Sequence, residues 1–196
     1  MNPAIYLDRD GVIIENRTDY VRDWSQVYIF PQALRGLSLL CQTPFKIIIV
    51  TNQSAVGRGL ISLDTALDIN QRLVEQIEQT GSRIDGVFMC PHSPENGCLC
   101  RKPAPGLLLD AAQALSVDLE RSYLVGDAVT DLLAGEAAGI RQTVLVKTGR
   151  GSNQVELLPA RIKNSTRIYA TLEDFAIDLI HTTQPGASPI TGGKTI

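Results

Sequence analysis

Asp8 and Asp10 stand two residues apart in Leu7-Asp8-Arg9-Asp10-Gly11, directly after the apolar run Ala4-Ile5-Tyr6-Leu7. That run is short and apolar throughout, as a buried strand of a parallel sheet is. Residues at a spacing of two project to the same side of an extended chain. The pair therefore faces the crevice beyond the strand's carboxyl end, where open parallel sheets bind ligands. A carboxylate pair there can bind a divalent cation, one member serving as nucleophile and the other as acid and base. Asp and Gly are also ordinary turn residues, so a solvated turn is the plain alternative for this stretch alone.

Three further polar clusters stand beyond expected strands, one of them, Arg101-Lys102-Pro103, after the intervening cysteine-rich loop. Thr51-Asn52-Gln53-Ser54 succeeds the β-branched run 45–50, and its hydroxyl and amides could donate hydrogen bonds to phosphate oxygens. Arg101-Lys102-Pro103 supplies two adjacent cations that could balance a phosphoryl group and its developing charge. Gly126-Asp127 with Asp131 follows 122–125, where a carboxylate could complete an oxygen-rich site with Asp8. Each also has an ordinary reading: a cap at Thr51, a solvated basic pair at 101–102, and a first-turn acid at Asp131 interacting with a helix dipole.

Cys90-Pro91-His92, five residues, then Cys98-Leu99-Cys100 offers three thiolates and an imidazole. Four such ligands suit a closed, tetrahedral, structural zinc site. The plain alternative is a set of buried thiols beside an incidental histidine. Zinc would order the loop that presents Arg101 and Lys102, in a segment with too few apolar residues to fold by burial. Cys41, set apart with Leu37 and Leu40, reads as core, and His181 receives no role.

These residues must be positioned by alternating elements. Strands are expected over 4–7, 45–50, 86–89, 122–125 and 144–146. Helices are expected over 31–41, from Ser62 to a close at Gly81, and over 107–115, 131–138 and 172–180. On the second helix Leu63, Leu67, Asn70, Val74 and Ile77 share a face. Such alternation implies an α/β fold, a parallel sheet with helices on both faces. The 196 residues suit one domain, read as 1–181 with a zinc loop over 90–102, followed by a Gly-, Pro-, Ser- and Thr-rich stretch, 182–196, that reads as a disordered tail. A net charge of −3 gives no sign of a nucleic-acid or membrane surface. The start lacks a basic region leading into a long apolar run, and three of the four cysteines crowd into positions 90, 98 and 100. Both features point to the cytoplasm.

In this order, Asp-x-Asp, Thr, Lys and Gly-Asp-x-x-x-Asp resemble the haloacid dehalogenase (HAD) superfamily of phosphohydrolases, over about residues 4–149. The resemblance implies a Rossmannoid three-layer sandwich with a central parallel sheet. It implies Asp8 as nucleophile, Asp10 as general acid and base, and Thr51 and Lys102 as holders of the phosphoryl group. Magnesium would be bound by Asp8, Asp127 and the backbone carbonyl of Asp10, with Asp131 behind these ligands. The cysteine spacing running into Arg-Lys-Pro narrows the resemblance to a subgroup with zinc at Cys90, His92, Cys98 and Cys100. It includes heptose 1,7-bisphosphate and histidinol-phosphate phosphatases. Leu7–Gly11, Thr51-Asn52-Gln53-Ser54 with Arg58-Gly59, and Lys102-Pro103-Ala104-Pro105-Gly106 look most like the heptose enzymes. The five-residue gap between His92 and Cys98 looks more like the histidinol-phosphate enzymes, and Ala55 and Ala128 replace the glycine and lysine usual in heptose enzymes.

The expected activity is magnesium-dependent removal of the 7-phosphate of D-glycero-D-manno-heptose 1,7-bisphosphate through an aspartyl-phosphate. In that subgroup Arg101 would recognise the second phosphate, and Asn52, Gln53 and Ser54 would contact the substrate. Histidinol phosphate is the alternative substrate, and a non-catalytic, zinc-stabilised binding module the alternative class. The partner expected is a small phosphorylated sugar, with neither nucleic acid nor membrane, bound by a monomer.

Overall fold

The computed structural model describes residues 1–183. Six strands, β1 (Ala4–Leu7), β2 (Lys46–Asn52), β3 (Gly86–Cys90), β4 (Tyr123–Gly126), β5 (Gln142–Val146) and β6 (Thr166–Tyr169), form one sheet in the order β3-β2-β1-β4-β5-β6. Every neighbouring pair is parallel. Among the described residues eight α-helices are interspersed: α1 (Pro31–Leu40), α2 (Ser54–Gly57), α3 (Leu63–Glu78), α4 (Gly106–Leu115), α5 (Val129–Ala138), α6 (Gly151–Gln154), α7 (Ala160–Lys163) and α8 (Leu172–Thr183).

The side-chain period of two divides each central strand between two cores. Ile5 and Leu7 of β1, Ile47 and Ile49 of β2 and Val125 of β4 pack on one face beneath α1, α3 and α8. Ala4, Tyr6, Ile48, Val50 and Leu124 pack on the other, against Leu107, Leu108 and Ala111 of α4 and Ala134 of α5. A third cluster joins Leu132 of α5 and Leu145 of β5 to Ile162 of α7. The result is the expected three-layer α/β sandwich. Leu37, completely buried on α1, tests the first core: Leu37→Ala is expected to cost about 2–5 kcal/mol in urea unfolding, with zinc content unchanged.

Several boundaries differ from those expected. β2 runs through Thr51 and Asn52, because these residues still pair with Met89 and Cys90 of β3. The face expected on α3 is rotated. Leu63 and Leu67 are about half exposed (47% and 50%), whereas Ala66, Ile69, Asn70, Leu73 and Ile77 are buried. The buried set follows an i, i+3, i+4, i+7 stripe that keeps Asn70 and Ile77 from the expected face and replaces Leu63, Leu67 and Val74 by Ala66, Ile69 and Leu73. β6 was not expected at all. The helix expected to end at 180 continues through Thr183, so the tail reading is corrected at 182 and 183; the rest of that stretch, 184–196, lies outside the described residues.

Candidate active site

β1 and β4 are neighbours, with Leu7 opposite Val125. Asp8 and Asp127 therefore leave adjacent strand ends together, and the Asp8 amide still donates to the Val125 carbonyl at 2.9 Å. Asp131 reaches the same point from the first turn of α5, where one carboxylate oxygen caps the Ala128 amide at 3.1 Å. Oxygens of Asp8, Asp127 and Asp131 lie within 4.8 Å of one another, and all three residues are buried. The Lys102 ammonium sits between them, 2.9 Å from Asp8 Oδ1 and 2.7 Å from Asp131 Oδ1, and donates to the Val50 carbonyl at 2.8 Å.

Charge accounts for this arrangement. Burial pushes the Asp8 carboxyl up to about 8; Lys102 opposes the rise, while Asp131, Asp127 and Asp10 add to it. Asp127 is likewise raised, by burial and then by Asp131, against the pull of Arg150. Burial alone would discharge Lys102, but Asp131 and Asp8 outweigh it and hold its proton more firmly than usual. A divalent cation among these acids would restore them as carboxylates. Their donor atoms are all oxygen, which suits magnesium. Two glycines let the chain close on this point. Gly11 (φ +90°) and Gly149 (φ +57°) both adopt left-handed backbone, and a Cβ at either would fall about 2 Å from Asp127 Oδ2 (2.1 and 2.4 Å).

Asp10 is held from several directions. The Arg9 guanidinium forks onto its carboxylate, with Nε to Oδ2 at 3.0 Å and Nη2 to Oδ1 at 3.2 Å. Gln53 Nε2 donates to Oδ2 at 2.9 Å and to Thr51 Oγ1 at 2.8 Å, and Thr51 Oγ1 is 3.5 Å from the same Oδ2. Gln53, expected against substrate, thus spends its amide on Asp10 and Thr51. Asn52 clamps the Lys102 backbone instead, accepting from its N–H at 3.1 Å and donating to its carbonyl at 3.0 Å. Ser54 opens α2 and lines the cleft.

The cysteine loop hangs between β3 and α4. Cys90, His92, Cys98 and Cys100 bring one donor each to a common point. The Cys90–Cys98, Cys90–Cys100 and Cys98–Cys100 sulfur separations are 3.5, 3.2 and 3.4 Å, and His92 Nδ1 lies 3.6 and 3.3 Å from Cys90 and Cys100. A tetrahedron with zinc–sulfur bonds of about 2.3 Å has edges of roughly 3.8 Å, so these residues fit zinc. Crowding supports the same conclusion: burial, then hydrogen bonds with Cys90 and Cys98, push the Cys100 thiol up to about 12, a situation a cation reverses. Arg101 and Lys102, adjacent in sequence, diverge here. Lys102 is buried at Asp8, whereas Arg101 donates to the His92 carbonyl at 3.3 Å and lines the cleft.

Cys98→Ser is therefore expected to bind less zinc and to loosen the chain from Cys90 to Lys102, because binding energy at such a site is folding energy. Metal analysis should show the loss, thermal melts a lower midpoint, and activity a decline. Magnesium affinity should change much less, since Asp8 and Asp127 stand on other strands.

Asp8, Asp10, Asn52, Arg101, Lys102 and Asp131 line a cleft of about 770 Å³, with Asp127 and Thr51 buried behind them. Its far wall was missed by sequence reading. Glu15, Asn16, Arg17, Thr18 and Tyr20 supply part of it, and Thr148, Gly149 and Arg150 another part. Arg150 donates from its backbone to Asp127 Oδ2 at 2.8 Å, and Asn16 Nδ2 reaches the same oxygen at 3.4 Å. The one signal for the second segment was its position: Thr148-Gly149-Arg150 follows β5, as the other polar clusters follow their strands.

A HAD-hydrolase-like family model matches residues 99–175. The chain is similar to the D-glycero-beta-D-manno-heptose-1,7-bisphosphate 7-phosphatase of Pasteurella multocida, 38% identical over 156 residues (76% of this chain, 84% of the relative). It is 35% identical over 176 residues to the enzyme of that name from Bordetella bronchiseptica (90% of this chain, 97% of the relative). In three dimensions it resembles the D,D-heptose 1,7-bisphosphate phosphatase from B. bronchiseptica crystallised with magnesium and phosphate, with a TM-score of 0.86 and 34% identity over 92% of this chain and 99% of that one. Fold and site together define a phosphohydrolase of the HAD superfamily. Within it, the chain belongs to the heptose bisphosphate phosphatase family.

Proposed function

We propose that this protein removes the 7-phosphate of D-glycero-β-D-manno-heptose 1,7-bisphosphate. The observation that carries the reading is the buried Asp8–Lys102–Asp131 arrangement beside Asp127, opening on a cleft large enough for a sugar bisphosphate. Similarity to the heptose enzymes over nearly the whole chain names the sugar.

Asp8 is the nucleophile, its carboxylate attacking phosphorus to give an aspartyl-phosphate. Lys102 holds the Asp8 oxygen in place and offsets repulsion between two anions. Thr51 holds the phosphoryl oxygens from the end of β2. Asp8, Asp127 and the Asp10 carbonyl would hold magnesium, which when bound supplies further charge neutralisation. Asp131 anchors Lys102 from behind. Asp10 protonates the departing sugar oxygen, then takes a proton from the water that hydrolyses the acyl-phosphate. Arg101 stands along the cleft as the cation for the second phosphate. Every group invoked lies on one chain, which supports a working monomer, and free thiolates as zinc ligands support the cytoplasm. Among the described residues no helix is long and apolar enough to cross a membrane.

Asp10→Asn is expected to lower kcat by about 10²–10⁴-fold, the usual contribution of general acid–base catalysis. Magnesium affinity by calorimetry should stay near that of the wild type, because the ligand there is a backbone carbonyl. The decisive test of substrate is kcat/KM, with magnesium, for both heptose bisphosphate anomers, fructose 1,6-bisphosphate and histidinol phosphate. A heptose bisphosphate should rank first. A win for histidinol phosphate would overturn the sugar assignment, and inactivity on all of them would leave a binding module.

A further inference from the structure

Arg9 is the bulkiest side chain with essentially no exposure, at 1% of its surface. Arginine is almost never buried this deeply unless paired. Its charged partner is not a core group. The fork goes to Asp10, whose side chain keeps 22% of its surface open at the cleft. At the other end of the guanidinium, Nη1 donates to Asn70 Oδ1 at 2.7 Å. Asn70 is the polar residue on the buried stripe of α3, itself held by a contact from Nδ2 to Met89 Sδ at 3.5 Å. A helix face that could have carried a leucine carries an amide instead, and the arginine it meets has no other side-chain acceptor than Asp10.

The two Asp10 oxygens are treated differently. Oδ2 receives Arg9 Nε at 3.0 Å, Gln53 Nε2 at 2.9 Å and the Thr51 hydroxyl at 3.5 Å, and lies 3.0 Å from Arg9 Nη2 as well. Oδ1 receives only Arg9 Nη2, at 3.2 Å. Oδ2 is thus the anchored oxygen, and Oδ1 has room for a further partner.

We propose that Arg9 and Asn70 are positioning residues that fix the Asp10 carboxyl so that Oδ1 faces the leaving-group oxygen. This rests on the phosphatase reading above, with Asp10 as the acid. Asn70 touches neither substrate nor Asp10. It sets the plane of the guanidinium, and the guanidinium sets the plane of the carboxyl. A lysine could keep the charge at position 9 but not the planar fork.

The prediction separates positioning from general support of the fold, because only one class of ester needs the proton. The departing alkoxide of a sugar phosphate needs it, whereas the phenolate of 2,4-dinitrophenyl phosphate leaves without it. The readout is kcat/KM for the two esters, which reports events up to transfer of the phosphoryl group to Asp8. Asn70→Leu is expected to lose at least about tenfold on heptose bisphosphate and less than about threefold on the aryl ester; Arg9→Lys should lose about 10²-fold on the sugar with the same contrast. If Asn70→Leu does not fold, Asn70→Ser, too short to reach Arg9, takes its place. Equal losses on both esters, or no loss on the sugar, would overturn the positioning role alone. A wild-type enzyme inactive on both esters would instead remove the phosphatase reading, and the role with it.

Discussion

Asp8→Asn is expected to abolish turnover while raising stability. An amide cannot form the acyl-phosphate, and loss of a nucleophile commonly costs more than about 10⁴-fold. Misfolding could produce the same silence, so stability carries the distinction. Asp8 is buried among Asp127, Asp131 and Asp10, and burial together with those neighbours pushes its carboxyl up to about 8. A neutral amide of the same shape removes that strain and leaves Lys102 with Asp131. The metal-free variant should therefore melt above the metal-free wild type, by about 2–4 °C for each kcal/mol in a chain of this size. Acid-quenched wild type should retain label from radiolabelled substrate as a hydroxylamine-sensitive acyl-phosphate, and Asp8→Asn should retain none. Substantial turnover in the variant would show that phosphorus is attacked by something else.

Lys102→Met should be the most destabilising of the site variants, and inactive. It strips the ammonium from two carboxylates at 2.9 and 2.7 Å and leaves the Val50 carbonyl without its side-chain donor. Breaking one partner out of a buried charge pair typically costs about 3–5 kcal/mol. The cost should depend on pH with a definite sign. The Asp8 carboxyl already stands at about 8 with Lys102 opposing the rise, so without Lys102 its folded-state value rises further. The deficit relative to wild type is then flat with pH below about 8 and deepens as pH rises above it, where wild-type Asp8 ionises and the variant's Asp8 still holds its proton. Urea unfolding at pH 7 and pH 9 measures this, and a deficit no deeper at pH 9 would remove the charge explanation. Zinc content should be unchanged, since all four ligands remain.

Much of this site was legible because a parallel sheet writes itself plainly. β1 and β2 are buried on both faces, so Ala4–Leu7 and the run of isoleucines in β2 appear as unbroken apolar stretches, each followed by a polar residue. Each polar end then fell at the same rim. β6 is the opposite case: it is an edge strand, with Arg167 and Ile168 exposed, and it lacks the run that betrays a central strand. Arg9 was illegible for another reason. Nothing local to Asp-Arg-Asp tells whether the arginine enters solvent or the core, because its acceptor lies 61 residues away on α3. The roles of Gln53 and Asn52 were hidden likewise, since their amides turn to Asp10 and to the Lys102 backbone through contacts between elements. Thr148–Arg150 carries no residue type that marks it; only adjacency of β5 to β4 brings it to Asp127.

The sheet order has a consequence for how the molecule is made. Of the sheet's six described strands the earliest in sequence lies at its centre, between β2 and β4. Ala4 finishes its bonding at Ser122, 118 residues downstream. A chain emerging from the ribosome therefore carries the apolar strand β1 with one edge unpaired until β4 has appeared. Pairings so distant in sequence are slow to form, because a long loop must be closed before any contact rewards it. Asp8 and Asp127 meet only at that closure, so competence for chemistry waits on β4, although the attacking residue is translated well before it.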